Sequence, residues 1–191
     1  MNKREMERLR RRLSSEMRRK WDRVLPWDEM LLDRWKKAKS LGFGAEASCY
    51  EHVFIYGKPK IGRGVWIGFF VVLDATGGLE IGDGCDISAG VQIYSHSTHA
   101  RCVSARKLET IRKPTRIGKH VHIGPGSVIL PGVTIGDHVV IGAGSVVNKN
   151  IPSYSIAAGV PVRIIRRIKK DFSNVLKVGR SSRGRRSSGA R

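Results

Sequence analysis

Ile117-Gly118-Lys119-His120-Val121-His122-Ile123-Gly124-Pro125-Gly126-Ser127-Val128-Ile129-Leu130-Pro131-Gly132-Val133-Thr134-Ile135-Gly136-Asp137-His138-Val139-Val140-Ile141 decides the fold, because an aliphatic residue returns at every sixth position. A period of six matches neither the 3.6 of a helix nor the 2 of an ordinary strand. It matches a coil with three short flat sides, one hexapeptide per side, whose aliphatic residue points inward and stacks on its counterparts above and below. Within each repeat a second small or β-branched residue falls four positions on: Val121, Ser127, Val133, Val139 and Ser145. Glycine and the pairs Lys119-His120 and Asp137-His138 fall at the corners, where tight turning or a positive φ is needed.

The same phase extends in both directions. Downstream it reaches Val147. Upstream it runs through Ile55, Ile61, Ile67 and Leu73, slips by two residues at Gly77-Gly78, and resumes at Ile81, Ile87 and Ile93. Such repeats bury a continuous core only when stacked, so several coils and capped ends are required. Between Ile93 and Ile117 the spacing is a whole number of hexapeptides, yet the residues abandon the pattern. Residues 94–116 therefore read as an excursion thrown out of the coil, and long loops on repeat scaffolds carry function.

The flanks differ in kind. Residues 1–44 read as a basic helical extension, with Met6, Leu9, Leu13 and Met17 at helical steps, a break at Pro26, and a second segment carrying Met30, Leu31, Leu32 and Trp35. Packing of that apolar stripe on the chain's own domain is the expectation, with a membrane surface as the alternative. Residues 45–168 form the coil domain. At its end, Val162 to Lys170 is expected to cap the stack as a short basic helix or strand, and residues 169–191 form a basic tail expected to be disordered.

The chain carries a net charge of +20, but residues 1–40 hold 14 Lys and Arg against 7 acids, and residues 163–191 hold 11 against 1. The coil itself is nearly neutral. Basic ends suit an anionic membrane surface or another polyanion. No aromatic residues interleave the C-terminal arginines, which gives no support to a nucleic-acid partner. Cys49, Cys85 and Cys102 are an odd, widely spaced set that fits neither a disulfide framework nor a thiolate zinc site, and suits a reducing compartment. With no secretory signal or membrane-spanning run evident, the expectation is a cytoplasmic protein, peripheral at the inner membrane face if its basic ends dock there.

From about Val53 to Arg167 the chain resembles the hexapeptide-repeat acyltransferases, in particular the bacterial sugar O-acetyltransferases of the maltose, galactoside and surface-polysaccharide type. The resemblance lies in Gly78 to His96, in Ile135 to Val147, and in Lys149-Asn150-Ile151-Pro152 followed by Ala158-Gly159-Val160-Pro161-Val162-Arg163. It implies an all-β, left-handed parallel β-helix that assembles as a homotrimer, with acetyl-CoA bound in the groove between two neighbouring β-helices. It also implies direct acetyl transfer to a sugar, or to a nucleotide- or lipid-linked sugar, without a metal. A histidine would take the acceptor proton and a backbone N–H would stabilise the oxyanion. His96 matches the histidine of the polysaccharide-pathway members, and His99 is the alternative base or an acceptor contact. Ala143, Asn148, Lys149, Arg163 and Arg166 match positions that meet coenzyme A, the basic ones near its phosphates. Asp74 and Tyr94 are candidate acceptor contacts, and Asp74 could equally terminate a coil.

Two other readings are open at this point. The γ-class carbonic anhydrases share the scaffold but need three histidines around zinc, and His120, His122 and His138 lack their spacing. A non-enzymatic coil docking on a membrane or polyanion would not depend on His96. Serine acetyltransferases and acyl-lipid transferases are further relatives that coenzyme A motifs alone cannot separate.

Overall fold

The computed structural model describes residues 2–175 and shows a coil of very short strands, each turn giving one strand to each of three faces. Face A runs in parallel through Ser48–Cys49, Trp66–Ile67, Asp86–Ile87, His122–Ile123, Val139–Ile141 and Ser155–Ala158. Face B runs through Phe54–Tyr56, Val72–Asp74, Gln92–Ile93, Val128–Ile129 and Val146–Val147. Face C runs through Lys60–Ile61, Leu79–Ile81, Thr115–Ile117 and Thr134–Ile135, with Ile151 bridged to Ile135. With the hexapeptide pattern, this is a left-handed parallel β-helix.

Register follows from the period. Ile67, Ile87, Ile123 and Ile141 are stacked partners on face A, as are Leu73, Ile93, Ile129 and Val147 on face B. All eight are 0% exposed. The second inward position of each repeat also lies inside, and where it is serine the hydroxyl is satisfied: Ser127 and Ser145 both donate to the Gly142 carbonyl. At the corner between faces C and A the chain adopts left-handed φ values at His120, His138 and Tyr154. Non-glycine residues there cost on the order of 1 kcal/mol each. Their rings stack along the coil, with centroids 5.0 and 4.8 Å apart, which offsets part of that cost.

The coil's open first end is closed by helices. Helix α1 (Lys3–Trp21) starts with a capping box between Asn2 and Glu5, α2 spans Trp27–Leu31, and α3 spans Arg34–Ser40. The packing expected of this segment divides between them. α2 and α3 dock on the first coil: Ala38 and Phe43 join the core, and buried Glu29 accepts from the backbone N–H groups of Glu51 and His52. Lys37 also donates to the carbonyls of Tyr50 and Glu51. α1 has no buried residue and meets α2 through Ser14 and Met30.

The far end is capped by a strand, Arg163–Arg167, antiparallel to Ser155–Ala158. A disordered tail is expected from residue 169. Residues 169–175 fold back, with Asn174 accepting from the Lys169 N–H and Phe172 packing 5.5 Å from the His138 ring. The remainder of the tail, including Arg180–Arg191, lies outside the described residues. No described helix is long and apolar enough to cross a membrane.

Candidate active site

The two departures from the hexapeptide frame meet at one corner, between faces B and C. Leu73 and Ile93 are partners in successive coils, so the residues that follow them, Asp74 and Tyr94, stack on each other's turns. Asp74 ends its strand and turns inward. The excursion begins directly above it at Tyr94-Ser95-His96.

The excursion is an ordered device rather than a slack loop. Its two feet are tied together: the Thr115 hydroxyl donates to the Tyr94 carbonyl at 2.7 Å, and the Lys113 N–H donates to the Ser95 carbonyl at 2.8 Å. Above them His96–Ser97 pairs antiparallel with Ile111–Arg112, and helix α4 (His99–Val103) forms the tip. The extra glycines make room for this base. A Cβ on Gly77 would stand 2.1 Å from the Ser95 carbonyl oxygen and 3.0 Å from the Lys113 nitrogen, while Gly78 adopts φ +99°. The Gly77 N–H donates to the Ser95 hydroxyl at 2.8 Å.

Asp74 is 0% exposed and both of its oxygens are engaged. Oδ1 accepts from the Thr76 N–H at 3.0 Å and the Thr76 hydroxyl at 2.6 Å. Oδ2 accepts from the Ser95 N–H at 2.9 Å, the His96 N–H at 3.0 Å and the His96 ring at Nδ1, 2.6 Å away. Burial pulls the Asp74 carboxyl toward a higher pKa. The hydrogen bonds from Thr76, Ser95 and His96 together outweigh it and hold the group well below the usual carboxylate range.

The tautomer of His96 follows. An ionised carboxylate only accepts, so Nδ1 carries the hydrogen that bridges to Asp74. The Thr76 hydroxyl gives its own hydrogen to Asp74, so its oxygen, 3.0 Å from Nδ1, is a second acceptor for the same N–H. Nε2 is left with its lone pair, on a side chain 35% exposed. A carboxylate that orients an imidazole and stabilises its protonated form is the arrangement of a general base.

The other expected residues fall in several places. Asp74, put forward as an acceptor contact, is instead the buried partner of His96, with no oxygen left to present. Tyr94 donates its phenol to Gln92 at 2.7 Å on face B. His99 opens α4 on the surface, its Nδ1 2.7 Å from the Ser97 hydroxyl and with no carboxylate among its contacts. Asn148 and Lys149 are exposed at the same B–C corner as His96, two coils further on. Ala143 is exposed at the other edge of face B, the A–B corner, where its backbone packs on Gly124. Arg163 is exposed opposite Ala158, and Arg166 donates to the Val175 carbonyl at 2.9 Å. One chain therefore does not gather these residues around one point.

His120 and His138 stack with each other, whereas His122 faces Asp86 at 4.0 Å on face A. Among the described residues, no group of three or more His, Cys, Asp or Glu is placed to hold a metal ion. Burial pushes the thiols of Cys49 and Cys85 up to about 11, which makes both poor nucleophiles. The pairing of Asp74 with His96 was missed in the sequence, although coil arithmetic could have found it. One coil there is 20 residues rather than 18, and adding it to Asp74 lands on Tyr94, at the foot of the Ser95-His96 turn.

Similarity to known proteins places this coil among the β-helix transferases. Two family models match the chain: the bacterial transferase hexapeptide (six repeats) over residues 114–149 and the hexapeptide repeat of succinyl-transferase over residues 60–95. Nodulation protein L of Rhizobium leguminosarum bv. viciae is 40% identical over 139 residues, covering 72% of this chain and 71% of that protein. The galactoside O-acetyltransferase of Escherichia coli K12 is 42% identical over 118 residues, covering 60% of this chain and 57% of its own length. Among solved structures, a hexapeptide-repeat acetyltransferase of Vibrio cholerae O1 biovar eltor complexed with acetyl coenzyme A is 30% identical with a TM-score of 0.52. That match covers 86% of this chain and 90% of the other. The chain belongs to the hexapeptide-repeat acetyltransferases.

Proposed function

We propose that the enzyme moves an acetyl group from acetyl-CoA directly to a hydroxyl or amine of a sugar-containing acceptor, with His96 as general base. The observation that carries this reading is the Asp74–His96 contact of 2.6 Å, which leaves Nε2 as the free basic nitrogen. His96 Nε2 takes the acceptor proton as the acceptor oxygen or nitrogen attacks the thioester carbon. Asp74 stabilises the imidazolium that forms, and the proton then passes to the departing thiolate of coenzyme A. The complexed Vibrio acetyltransferase supports acetyl-CoA as the donor.

A homotrimer explains the scatter of the coenzyme A candidates. The outward row of face B is largely apolar, with Phe54, Val72, Val128 and Val146 flanking Gln92, and Phe54 is 54% exposed. Three copies that bury face B around a threefold axis set the A–B corner of one beside the B–C corner of the next. Ala143 of one chain and His96 of its neighbour then line one groove, with Asn148 and Lys149 along its wall and Arg163 and Arg166 offered to the phosphates of the donor.

The test is calorimetric binding of acetyl-CoA together with CoA release over a panel of sugars, for the wild type and His96→Ala. Turnover that falls at least about 10²-fold while acetyl-CoA still binds supports the reading. A folded His96→Ala that turns over at the wild-type rate removes His96 as the base.

A further inference from the structure

The excursion is strongly cationic. It carries Arg101, Arg106, Lys107, Arg112 and Lys113 against one acid, Glu109. Among the described residues, none of these five side chains forms an ion pair or hydrogen bond, and Glu109 pairs with none of them. Arg116, at the foot of the loop, differs: it faces Glu80 at 3.8 Å on face C.

Arg112 has the decisive position. It stands directly opposite His96 in the antiparallel pair, with Ile111 opposite Ser97. The pair is of the type that exchanges no backbone hydrogen bonds, since the His96 N–H points away into Asp74 and the neighbouring Lys113 N–H bonds to Ser95. Cα atoms in such pairs lie about 4.5 Å apart and their side chains project from the same face. The Arg112 side chain therefore leaves the hairpin beside the imidazole, and the residue is exposed.

We propose that Arg112 is the centre of an anion subsite and that the acceptor carries a phosphate or diphosphate next to the group that is acetylated. A guanidinium offers a planar fork that matches two phosphate oxygens. Within the reach of one side chain from the base, the phosphate in question belongs to the acceptor. The long pantetheine arm keeps the phosphates of coenzyme A well away from the thioester carbon. Arg101, Arg106, Lys107 and Lys113 add a field that draws an anionic acceptor to the corner. The acceptor class is thus a sugar phosphate, or a sugar joined through a diphosphate to a nucleotide or a lipid. This rests on His96 being the base.

The experiment compares matched acceptors, N-acetylglucosamine with its 1-phosphate and galactose with its uridine diphosphate conjugate. CoA release is measured for the wild type, Arg112→Gln and Arg112→Lys. The wild type is expected to favour the phosphorylated member in kcat/KM by about tenfold or more, mostly through KM. Arg112→Gln should shrink that ratio toward one, Arg112→Lys should restore part of it, and the KM for acetyl-CoA should move less than twofold. Equal use of both members, or a rise in the acetyl-CoA KM in place of the acceptor KM, overturns the subsite. Binding of inorganic pyrophosphate and of uridine diphosphate by the same proteins needs no turnover. Affinity that Arg112→Gln does not weaken also overturns it. Absence of both acetyl-CoA binding and CoA release would instead strike the transferase reading.

Discussion

Replacing Asp74 by asparagine is the sharpest perturbation of the site, because shape is kept while charge and acceptor count change. Five donor contacts converge on the carboxylate: two from Thr76, one from Ser95 and two from His96. Asparagine has one acceptor oxygen and one NH2 group. Placing the NH2 at the Oδ2 position would set it against two fixed backbone N–H groups, so its oxygen takes that side and the NH2 meets Thr76. The hydroxyl of Thr76 can rotate to accept, but the Thr76 N–H is left facing a donor. Charge-assisted bonds are worth about 1.5–3 kcal/mol and neutral ones about 1, and a buried unpaired donor costs about 1–3. The expected loss of stability is about 2–4 kcal/mol, read from the denaturant midpoint.

Catalysis should suffer more than folding. The oxygen retained beside Nδ1 preserves the tautomer, but the imidazolium formed during transfer loses its counter-charge. A fall in kcat between about 10² and 10⁴ is expected from CoA release, with acetyl-CoA binding intact. The variant also changes the acid response. The native Asp74 carboxyl titrates below its unfolded counterpart, so the unfolded chain takes up its proton first as the pH drops below about 4. The stability that Asp74 contributes is complete above that pH and is lost as the pH falls toward the native value. Wild-type stability should therefore decline more steeply with acid than that of Asp74→Asn. A folded Asp74→Asn with kcat within threefold of the wild type would refute the dyad.

Gly77→Ala places a Cβ 2.1 Å from the Ser95 carbonyl oxygen, so it should displace the strand that carries His96 and cut kcat at least about tenfold, with the coil's circular dichroism unchanged. Ile129→Ala empties a fully buried position between Ile93 and Val147 and should cost about 2–5 kcal/mol in denaturant unfolding. His99→Ala removes an exposed ring whose contact is Ser97, so kcat should stay within about threefold; a loss as large as that of His96→Ala would move the base to His99.

How far the structure could be read in advance depended on which constraints act locally. Ile117 to Val147 betrays the coil because stacking imposes one demand at every sixth residue, and a single chain records it repeatedly. The corner at His138 was legible for the same reason, since turning must occur once per hexapeptide. Gly77-Gly78 could be seen to break phase, but its purpose could not. The backbone that a Cβ there would strike belongs to Ser95 and Lys113, brought in by the next coil and the far foot of the excursion. Asp74 was ambiguous on the same ground: a carboxylate after a strand can end a coil, meet a ligand or brace a histidine, and its five donors are arranged by tertiary structure. The stripe of Met6, Leu9, Leu13 and Met17 shows the opposite limit. Its helical period was plain and α1 forms, yet the helix buries no residue, because periodicity specifies a face without specifying what covers it. The division of the site follows the same logic at larger scale. Ala143 and His96 lie at opposite edges of face B, so no register within one chain unites them. The apolar row Phe54, Val72, Val128 and Val146 between those edges is the feature that calls for another copy. In the proposed trimer the groove lies at a subunit boundary, which makes assembly a condition of turnover: charge placed in that row, as in Val128→Glu, should abolish CoA release by separating the copies while each Asp74–His96 pair stays intact.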